Sequence, residues 1–364
     1  QQINSVIVDE NKAYYKFIFY LLKYLTPQIK KMAGGTITGI INKGQFEKFP
    51  FEIPDSIEEQ KEIAGVLSSL DDKIELLREE NKTLEATAQT IFKEWFVNFN
   101  FPNAEGNPYK SSGGKMIDSE LGETPEGWRV GAVKDLINIF SGFAFSSVDF
   151  IEGGKYKLVT IKNVQDRHFV QDIKDSFDEL PSKMPLYCHL KTGEILLSLT
   201  GNVGRICLVV GENYLLNQRV AKLKAVNAKD YAFTYFLFLQ ESTFSLLQST
   251  ASGTAQQNLS PVQTKEIKII VPLRNALDVF GDVANPMIEK INQNNSEIQT
   301  LSTLRDTFLP KLMSGEKADS CITSPPYNQG GGSGDLFSHG KRVESLYENE
   351  FDNKTKQEYF DFCI

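Results

Sequence analysis

Basic and amide side chains gather in four short stretches in the central part of the chain, near the ends of apolar runs. Arginine can bind guanine through two hydrogen bonds, and asparagine or glutamine can bind adenine in the same way. Lysine and arginine can also neutralise backbone phosphates. Any one of these residues could instead be a turn-former in a solvated loop, but as a group they favour contact with duplex DNA. The candidates are Lys162, Asn163, Gly201, Asn202, Arg205, Asn217, Gln218, Arg219, Gln256, Gln257 and Asn258.

Short β-strands must position these side chains. Apolar runs typical of strands cover 155–161, 194–200, 204–210 and 220–226, and glycines separate them. Glycines also flank Asn202, where the lack of a side chain would let backbone approach a phosphate closely. A helix over 229–249 and a strand over 264–272 come next. These patterns predict a mixed, mainly antiparallel β domain in an α+β protein.

The chain contains an internal repeat. Residues 33–54 match residues 251–272 at an offset of 218, and each copy ends in an alternating apolar strand closed by proline. Upstream, residues 12–22 match residues 229–239, and both segments have the pattern of an aromatic-rich helix. Two related units are therefore expected.

A long helix follows each copy of the repeat. In 70–95 apolar residues recur at alternating intervals of four and three residues, and 287–312 has the same spacing. One asparagine interrupts each series. The alternative is two unrelated amphipathic helices that pack on separate cores. The predicted coiled-coil seam consists of Ile74, Leu77, Asn81, Leu84, Ile291, Asn294, Ile298 and Leu301.

Antiparallel pairing of the two helices would place Asn81 opposite Asn294. Leu77 would then face Ile298, and the register would be compatible with a pseudo-twofold axis. A buried asparagine in such a seam lowers stability but fixes the register. Parallel helices, or asparagines more than one heptad apart, would contradict this hypothesis.

The order of these segments resembles the specificity subunit of type I restriction–modification enzymes over residues 1–316. "ETPEGWRVGAVKDL" (123–136) resembles the start of a target recognition domain, and "NQRVAKL" (217–223) resembles one of its later loops. "IPDSIEEQKEIAGVLSSLDDKI" (53–74) is similar to the family's approach to its first spacer helix. "LRDTFLPKLMSGE" (304–316) is similar to the family's usual ending.

The resemblance implies an α+β fold in which mixed β target recognition domains alternate with two long helices that form an antiparallel coiled coil. The first recognition domain would lack its β portion, so the chain is expected to be truncated or to pair with another copy, and to bind DNA weakly as a monomer. The predicted boundaries are the end of a first recognition domain in 1–54, a first spacer helix in 55–97, a linker in 98–118, a second recognition domain in 119–275, a second spacer helix in 276–316 and a tail in 317–364.

The resemblance also implies a function and partners. Such a subunit binds a bipartite DNA sequence, one half-site per recognition domain, and catalyses nothing itself. Modification subunits, which use S-adenosylmethionine, dock on the helices and methylate adenines. A restriction subunit cuts the DNA after translocation that uses ATP and Mg. We therefore expect a DNA-binding component of a methyltransferase and endonuclease complex, with no cofactor of its own, that serves defence against foreign DNA.

The tail carries a second resemblance. "ITSPPYN" (322–328) resembles the catalytic motif of amino DNA methyltransferases, in which a polar residue and a proline carbonyl bind the target amino group and an aromatic ring stacks on the flipped base. Those roles would fall on Ser324, Pro325 and Tyr327, with Pro326 between them. Because no cofactor domain accompanies the motif, we expect it to be vestigial. The alternative is a fragment of an N6-adenine or N4-cytosine methyltransferase fused to recognition domains.

Composition and charge exclude other classes of protein. The net charge is −8, but residues 119–275 hold 17 Lys+Arg against 16 Asp+Glu, which allows a local basic surface and excludes a uniformly basic DNA binder. The four cysteines form no CxxC pair and the three histidines are scattered, so no metal site is predicted. No apolar run reaches the roughly 18 residues of a transmembrane helix. A cytoplasmic location is expected.

Overall fold

The computed structural model describes residues 5–32, 41–252 and 257–315. The chain forms two compact units: unit 1 comprises residues 1–73 and 301–364, and unit 2 comprises residues 74–300. The methyltransferase-like motif, Gln256 and the glycine-rich start of the first repeat lie outside the described residues. No described helix is both long enough and apolar enough to cross a bilayer.

The helices of the described ranges include two very long ones. A π-helical turn, Lys93–Val97, extends the first of these. The α-helices are α1 Tyr15–Met32, α2 Lys43–Phe46, α3 Ile57–Phe92, α4 Tyr231–Leu239, α5 Glu241–Thr250, α6 Pro261–Lys265 and α7 Arg274–Met313.

The strands of the described ranges all belong to unit 2. They are β1 Met116–Ser119, β2 Gly122–Pro125, β3 Arg129–Ala132, β4 Ile137–Ser141, β5 Ile151–Glu152, β6 Tyr156–Val159, β7 Val164–Gln165, β8 His168–Phe169, β9 Asp175–Phe177, β10 His189–Leu190, β11 Ile195–Ser198, β12 Ile206–Leu208, β13 Tyr214–Leu216, β14 Val220–Ala225 and β15 Lys268–Val271.

Unit 1 is a helical cluster around the apolar face of α1. Phe17, Leu21 and other buried residues of α1 pack against Leu67 near the start of α3 and Leu309 near the end of α7. Because early residues of α3 meet late residues of α7, the two helices run antiparallel in this unit. Burial of this face stabilises the helices by about 25 cal/mol for each Å² of apolar surface removed from water.

A polar cluster accompanies the apolar core of unit 1. Asp71 on α3 accepts hydrogen bonds from the Tyr20 hydroxyl at 2.8 Å and from Arg305 Nη1 at 2.7 Å. Burial, followed by the hydrogen bond to Asp71, raises the pKa of Tyr20 well above its ordinary value. This cluster takes the place that apolar residues fill elsewhere along the helices.

Unit 2 contains two main sheets. The four-stranded sheet has the order β12-β11-β14-β4 and is antiparallel throughout. The five-stranded sheet has the order β10-β13-β6-β9-β5, and only its β13–β6 pair is parallel. Three two-stranded pairs, β1–β2, β3–β15 and β7–β8, complete the unit. The mixed, mainly antiparallel β domain predicted from the sequence is confirmed.

Strand β11 lies at the centre of unit 2 with both faces covered. Ile195 and Leu197 belong to the core cluster beneath α4, whereas Leu196 belongs to a second cluster on the opposite face. Side chains alternate between the two faces of a strand, so two buried faces require a continuous apolar run. The sequence "EILLSLT" meets this requirement.

The long helices also run antiparallel within unit 2. Phe92 near the end of α3 contacts Phe280 near the start of α7, with ring centroids 5.8 Å apart. Further along both helices, Asn294 donates a hydrogen bond to Asn81. The structure thus pairs the two asparagines that the sequence predicted to face each other.

Three predicted elements differ in the structure. The helix predicted over 229–249 breaks at Gln240, whose extended backbone separates α4 from α5. The segment predicted as a linker over 98–118 is folded, because Phe101 stacks between Tyr109 and Trp128 at 4.7 and 4.8 Å. The repeat-related segment 49–54 forms no strand.

The missing strand has a physical reason. In the second repeat, β15 pairs with β3 at the start of the recognition domain. Among the described residues of unit 1 there is no strand equivalent to β3, so the backbone of 49–54 has no ladder to join. Phe51 is accordingly 50% exposed, whereas its repeat-related residue Ile269 is 9% exposed.

Candidate nucleic-acid interface

The loop between β11 and β12 is built to display Asn202. Buried Ser198 donates from its hydroxyl to the Asn202 carbonyl oxygen and accepts from the Arg205 backbone N–H at 3.0 Å. Gly201 and Gly204 have φ of 69° and 85°, which residues other than glycine seldom adopt. The closed loop leaves the Asn202 side chain exposed.

Backbone contacts bring two further candidate segments beside this loop. The Leu199 backbone N–H donates to the Arg219 carbonyl oxygen at 3.0 Å, and that of Gly201 donates to the Gln257 carbonyl oxygen at 3.3 Å. Asn258 forms an isolated β-bridge with Thr200. Three of the four segments that the sequence selected therefore meet at one place.

The remaining segment, 160–163, joins through two strand ends. The Asn217 backbone N–H donates to the Val159 carbonyl oxygen at 3.2 Å, which places the ends of β6 and β13 together. A Cβ on Gly201 would come within 3.2 Å of the Ile161 side chain. We call the surface formed by residues 160–163, 199–205, 217–219 and 257–258 the four-loop surface.

The chain after β4 passes close to the 217–219 loop of this surface because residue 142 is a glycine. A Cβ on Gly142 would lie 2.2 Å from the Asn217 carbonyl oxygen, so only glycine allows the close approach. The next residue, Phe143, donates from its backbone N–H to the Leu216 carbonyl oxygen and accepts from the Gln218 backbone N–H, both at 2.9 Å. This packing fixes the backbone of the 217–219 loop.

Asn163 has an internal role. It is 4% exposed, and its side-chain oxygen accepts hydrogen bonds from the backbone N–H and hydroxyl of Thr160 at 2.8 and 3.0 Å. Its side-chain nitrogen donates to the Val170 carbonyl oxygen at 3.0 Å. Since its donors and acceptors are engaged within the protein, we assign Asn163 to holding the loop and not to reading a base.

Cationic and amide groups cover the exposed part of the four-loop surface. Lys162, Gln218 and Arg219 are exposed, and Arg205 is partly exposed. No carboxylate of the described ranges forms an ion pair with Lys162 or Arg219, whereas several lysines and arginines elsewhere in unit 2 are paired. Unpaired cations beside exposed amides suit a ligand that carries both phosphates and hydrogen-bonding edges.

One contributor to this surface was missed by the sequence reasoning. Gln165 accepts a hydrogen bond from Arg205 Nη1 and donates from Nε2 to the Lys162 carbonyl oxygen at 2.9 Å. Its partner Arg205 lies 40 residues further along the chain. No local pattern links the two residues, so the sequence carries no signal for this contact.

The domain that carries the four-loop surface is also attached to α3. The Tyr235 hydroxyl on α4 donates to Glu85 on α3 at 3.0 Å. Burial, followed by the negative charge of Glu85, raises the pKa of Tyr235 well above its ordinary value. Tyr235 therefore stays protonated as a donor, and the contact fixes α4 against α3.

The predicted seam has a polar centre in unit 2. Asn294 is fully buried and donates from Nδ2 to Asn81 at 2.9 Å and to Glu80 at 3.0 Å. Asn81 donates in turn to Asn295 at 2.9 Å. Among the other predicted seam residues, Ile74, Leu77, Ile291 and Leu301 are buried, and Leu84 and Ile298 are half-buried.

Within the described ranges, no three His, Cys, Asp or Glu side chains are grouped so that they could hold a metal ion. Cys188 and Cys207 are buried free thiols, and burial raises the pKa of both. A thiol with a raised pKa is a poor nucleophile at neutral pH. The exposed groups of the four-loop surface are amides and cations.

Comparison with known proteins gives a consistent result. The family model described as "Type I restriction modification DNA specificity domain" matches residues 1–86 and 125–300. The type I restriction enzyme MjaIX specificity subunit of Methanocaldococcus jannaschii is 29% identical over 324 residues, which cover 85% of this chain and 71% of that protein. The HindI specificity subunit of Haemophilus influenzae is 26% identical over 356 residues, covering 83% and 77%.

A solved structure shares the fold. The S subunit of a type I restriction–modification system from M. genitalium has a TM-score of 0.51 and 20% sequence identity, and the match covers 84% of this chain and 74% of that one. At this level of identity the likeness concerns the fold alone.

Proposed function

The chain belongs to the type I restriction–modification DNA specificity family, and from that premise we propose that its four-loop surface reads one half-site of a bipartite duplex DNA sequence. The observation that carries the proposal is the convergence of four segments, far apart in sequence, into one surface rich in exposed amides and unpaired cations. As a specificity subunit, the chain selects the DNA sequence on which its system acts.

The surface offers the two kinds of contact that recognition needs. Lys162 and Arg219 would neutralise phosphates, a sequence-independent contribution that weakens as salt concentration rises. Asn202, Arg205 and Gln218 would reach base edges, where two-point hydrogen bonds distinguish one base from another. The surface also includes Asn217, Gln257 and Asn258.

The two long helices would set the position of this half-site relative to another. In the proposal, α3 and α7 act as a spacer, and their exposed faces receive modification subunits that use S-adenosylmethionine. A restriction subunit that uses ATP and Mg would join the complex. The hydrogen-bonded asparagines Asn81 and Asn294 support a fixed register between the helices.

We further propose that the chain itself catalyses no reaction and binds no cofactor. The four-loop surface supplies donors and cations but, within the described ranges, no nucleophile paired with a base. A second candidate is methyl transfer, favoured by the "SPPY" motif at Ser324–Tyr327. Equilibrium dialysis of the full chain against S-adenosylmethionine separates the two, because the specificity role predicts no retention and a working methyltransferase predicts saturable binding.

Selection from a randomised duplex library tests the DNA-reading role. The full chain, immobilised at about 150 mM salt, should enrich one recurring sequence over several rounds. A variant that carries Asn202→Ala, Arg205→Ala and Gln218→Ala should enrich no sequence while it retains the wild-type unfolding midpoint. A wild-type chain that retains duplex without enriching any sequence would contradict the proposal.

A further inference from the structure

The hairpin β7–β8 lies between the four-loop surface and helix α3 and makes polar contacts in both directions. Its first strand carries Gln165, which bonds to Arg205. Its turn carries Arg167, whose Nη1 donates to Gln89 on α3 at 3.1 Å and lies 4.0 Å from Glu85. Both the hairpin and these partners belong to unit 2.

The turn of this hairpin is held in an unusual backbone conformation. Arg167 has a φ of 58°, a region that residues with a side chain seldom occupy. Its backbone N–H donates to the Ile206 carbonyl oxygen at 2.8 Å, next to Arg205. Strain of this kind persists only where the surrounding contacts determine the conformation. The hairpin is therefore fixed by both its backbone and the Arg167 side chain.

Gln165 is hydrogen-bonded at both ends of its side-chain amide, whereas Arg205 keeps free donors. Its amide oxygen accepts from Arg205 and its amide nitrogen donates to the Lys162 carbonyl oxygen, so both ends of the amide are engaged. A guanidinium has five N–H donors. Among the described residues, Gln165 is the one hydrogen-bond partner of the Arg205 side chain, which is partly exposed. Arg205 thus retains donors that can meet a base edge.

We propose that Gln165 is a positioning residue that aims the Arg205 guanidinium at one base pair and thereby sets part of the sequence preference. The inference rests on the proposed DNA-reading role of the four-loop surface. An arginine free to rotate can still neutralise a phosphate, but two-point binding to guanine needs a fixed guanidinium plane. Loss of Gln165 should therefore lower sequence discrimination without lowering general affinity for DNA.

A double-mutant cycle on the full chain tests this inference. The substitutions are Gln165→Met, which keeps length and removes both hydrogen bonds, Arg205→Met, and the two together. The probes are a duplex selected by the wild-type chain from a randomised library and a duplex of the same composition in scrambled order. The readouts are the affinity ratio between the two duplexes, the salt dependence on the scrambled duplex, and the urea unfolding midpoint.

The expected result is a fall of about tenfold in the affinity ratio for Gln165→Met, with unchanged salt dependence on the scrambled duplex. Arg205→Met should lower the ratio by a similar factor, and the double variant should lower it no further than Arg205→Met alone. Gln171→Met is the matched control, because Gln171 also donates from its side chain to a backbone carbonyl, that of Val210, in unit 2. It should leave the ratio unchanged.

Two outcomes would overturn the inference while the proposed function stands. One is a wild-type ratio retained by Gln165→Met but lost in Arg205→Met. The other is a fall in the affinity ratio that is equally large when Gln165→Met is added to the wild-type chain and when it is added to Arg205→Met. Gln165 would then act independently of Arg205. If Gln165→Met unfolds, Gln165→Asn replaces it, because the shorter amide cannot reach Arg205. A wild-type chain that fails to discriminate would contradict the proposed function itself.

Discussion

At the scale of single residues, burial separates the candidates into two roles. Asn163 and Asn202 are both asparagines in loops that follow strands, and the sequence makes both of them candidates for contact with DNA. The structure buries Asn163 among backbone partners and exposes Asn202 at a loop tip. The residue type predicts the chemistry available, while the three-dimensional surroundings decide whether the protein or a ligand uses it.

The internal role of Asn163 leads to a stability prediction. Asn163→Ala leaves the half-buried Thr160 backbone N–H without its acceptor, and should lower the free energy of unfolding by about 1–3 kcal/mol. Urea unfolding measures the effect. Affinity for DNA per folded molecule should match wild type; wild-type stability combined with lost discrimination would assign Asn163 to base reading instead.

The unpaired cations lead to a salt prediction. Lys162→Ala and Arg219→Ala should each weaken binding to all duplex sequences and reduce the slope of log affinity against log salt by roughly 1, because each removes one phosphate contact. Fluorescence anisotropy between about 50 and 300 mM salt provides the slopes. The control is Lys290→Ala, on α7 and near Glu80. Equal slopes for the control and the two variants would show that these cations contact no phosphate.

At the scale of elements, the polar centre between α3 and α7 is the feature with the clearest energetic meaning. Asn294 is fully buried, and its neighbours along the helix series are apolar. A buried polar pair is destabilising relative to a packed apolar pair, yet removal of one partner costs more, because the other loses its hydrogen bond. We therefore expect the pair to specify the register of the two helices at some cost in stability.

Substitution of the asparagines checks this account. Asn294→Leu alone should destabilise the chain by about 1–3 kcal/mol, because Asn81 and Glu80 lose a donor. The double variant Asn81→Leu with Asn294→Leu should recover part or all of that loss. Gln293→Leu is the control, since Gln293 is an exposed amide on the same helix and should change stability little. Strictly additive effects in urea unfolding would mean that the two asparagines do not depend on each other.

Elements that depend on local sequence patterns could be predicted, whereas features that depend on contacts between distant residues could not. Apolar runs located β6, β11, β12 and β14, and the spacing of apolar residues located both long helices, because each of these signals is local. The folded segment around Phe101 depends on its contact with Trp128, further along the chain, and no period reveals it. The convergence of the four loops depends on the strand order, which no local pattern predicts.

At the scale of the whole molecule, the family predicted from motif order is confirmed by the match of the specificity-domain model to both parts of the chain. Unit 2 contains the complete set of strands that support the four-loop surface, whereas the described part of unit 1 is helical. We therefore assign the proposed DNA-reading role to unit 2. The methyltransferase-like motif lies outside the described residues.

Site-specific photo-crosslinking tests the central claim most directly. A photoreactive amino acid is placed at Asn202 or at Gln218 on the four-loop surface, and as a control at Glu105, an exposed residue of the folded 98–118 segment. Each full-length chain is irradiated with a duplex selected by the wild-type protein. We predict strong crosslinks to DNA from positions 202 and 218, removed by excess unlabelled selected duplex, and none from position 105. Crosslinks from position 105 alone, or equal crosslinks from all three, would contradict the claim that this surface reads DNA.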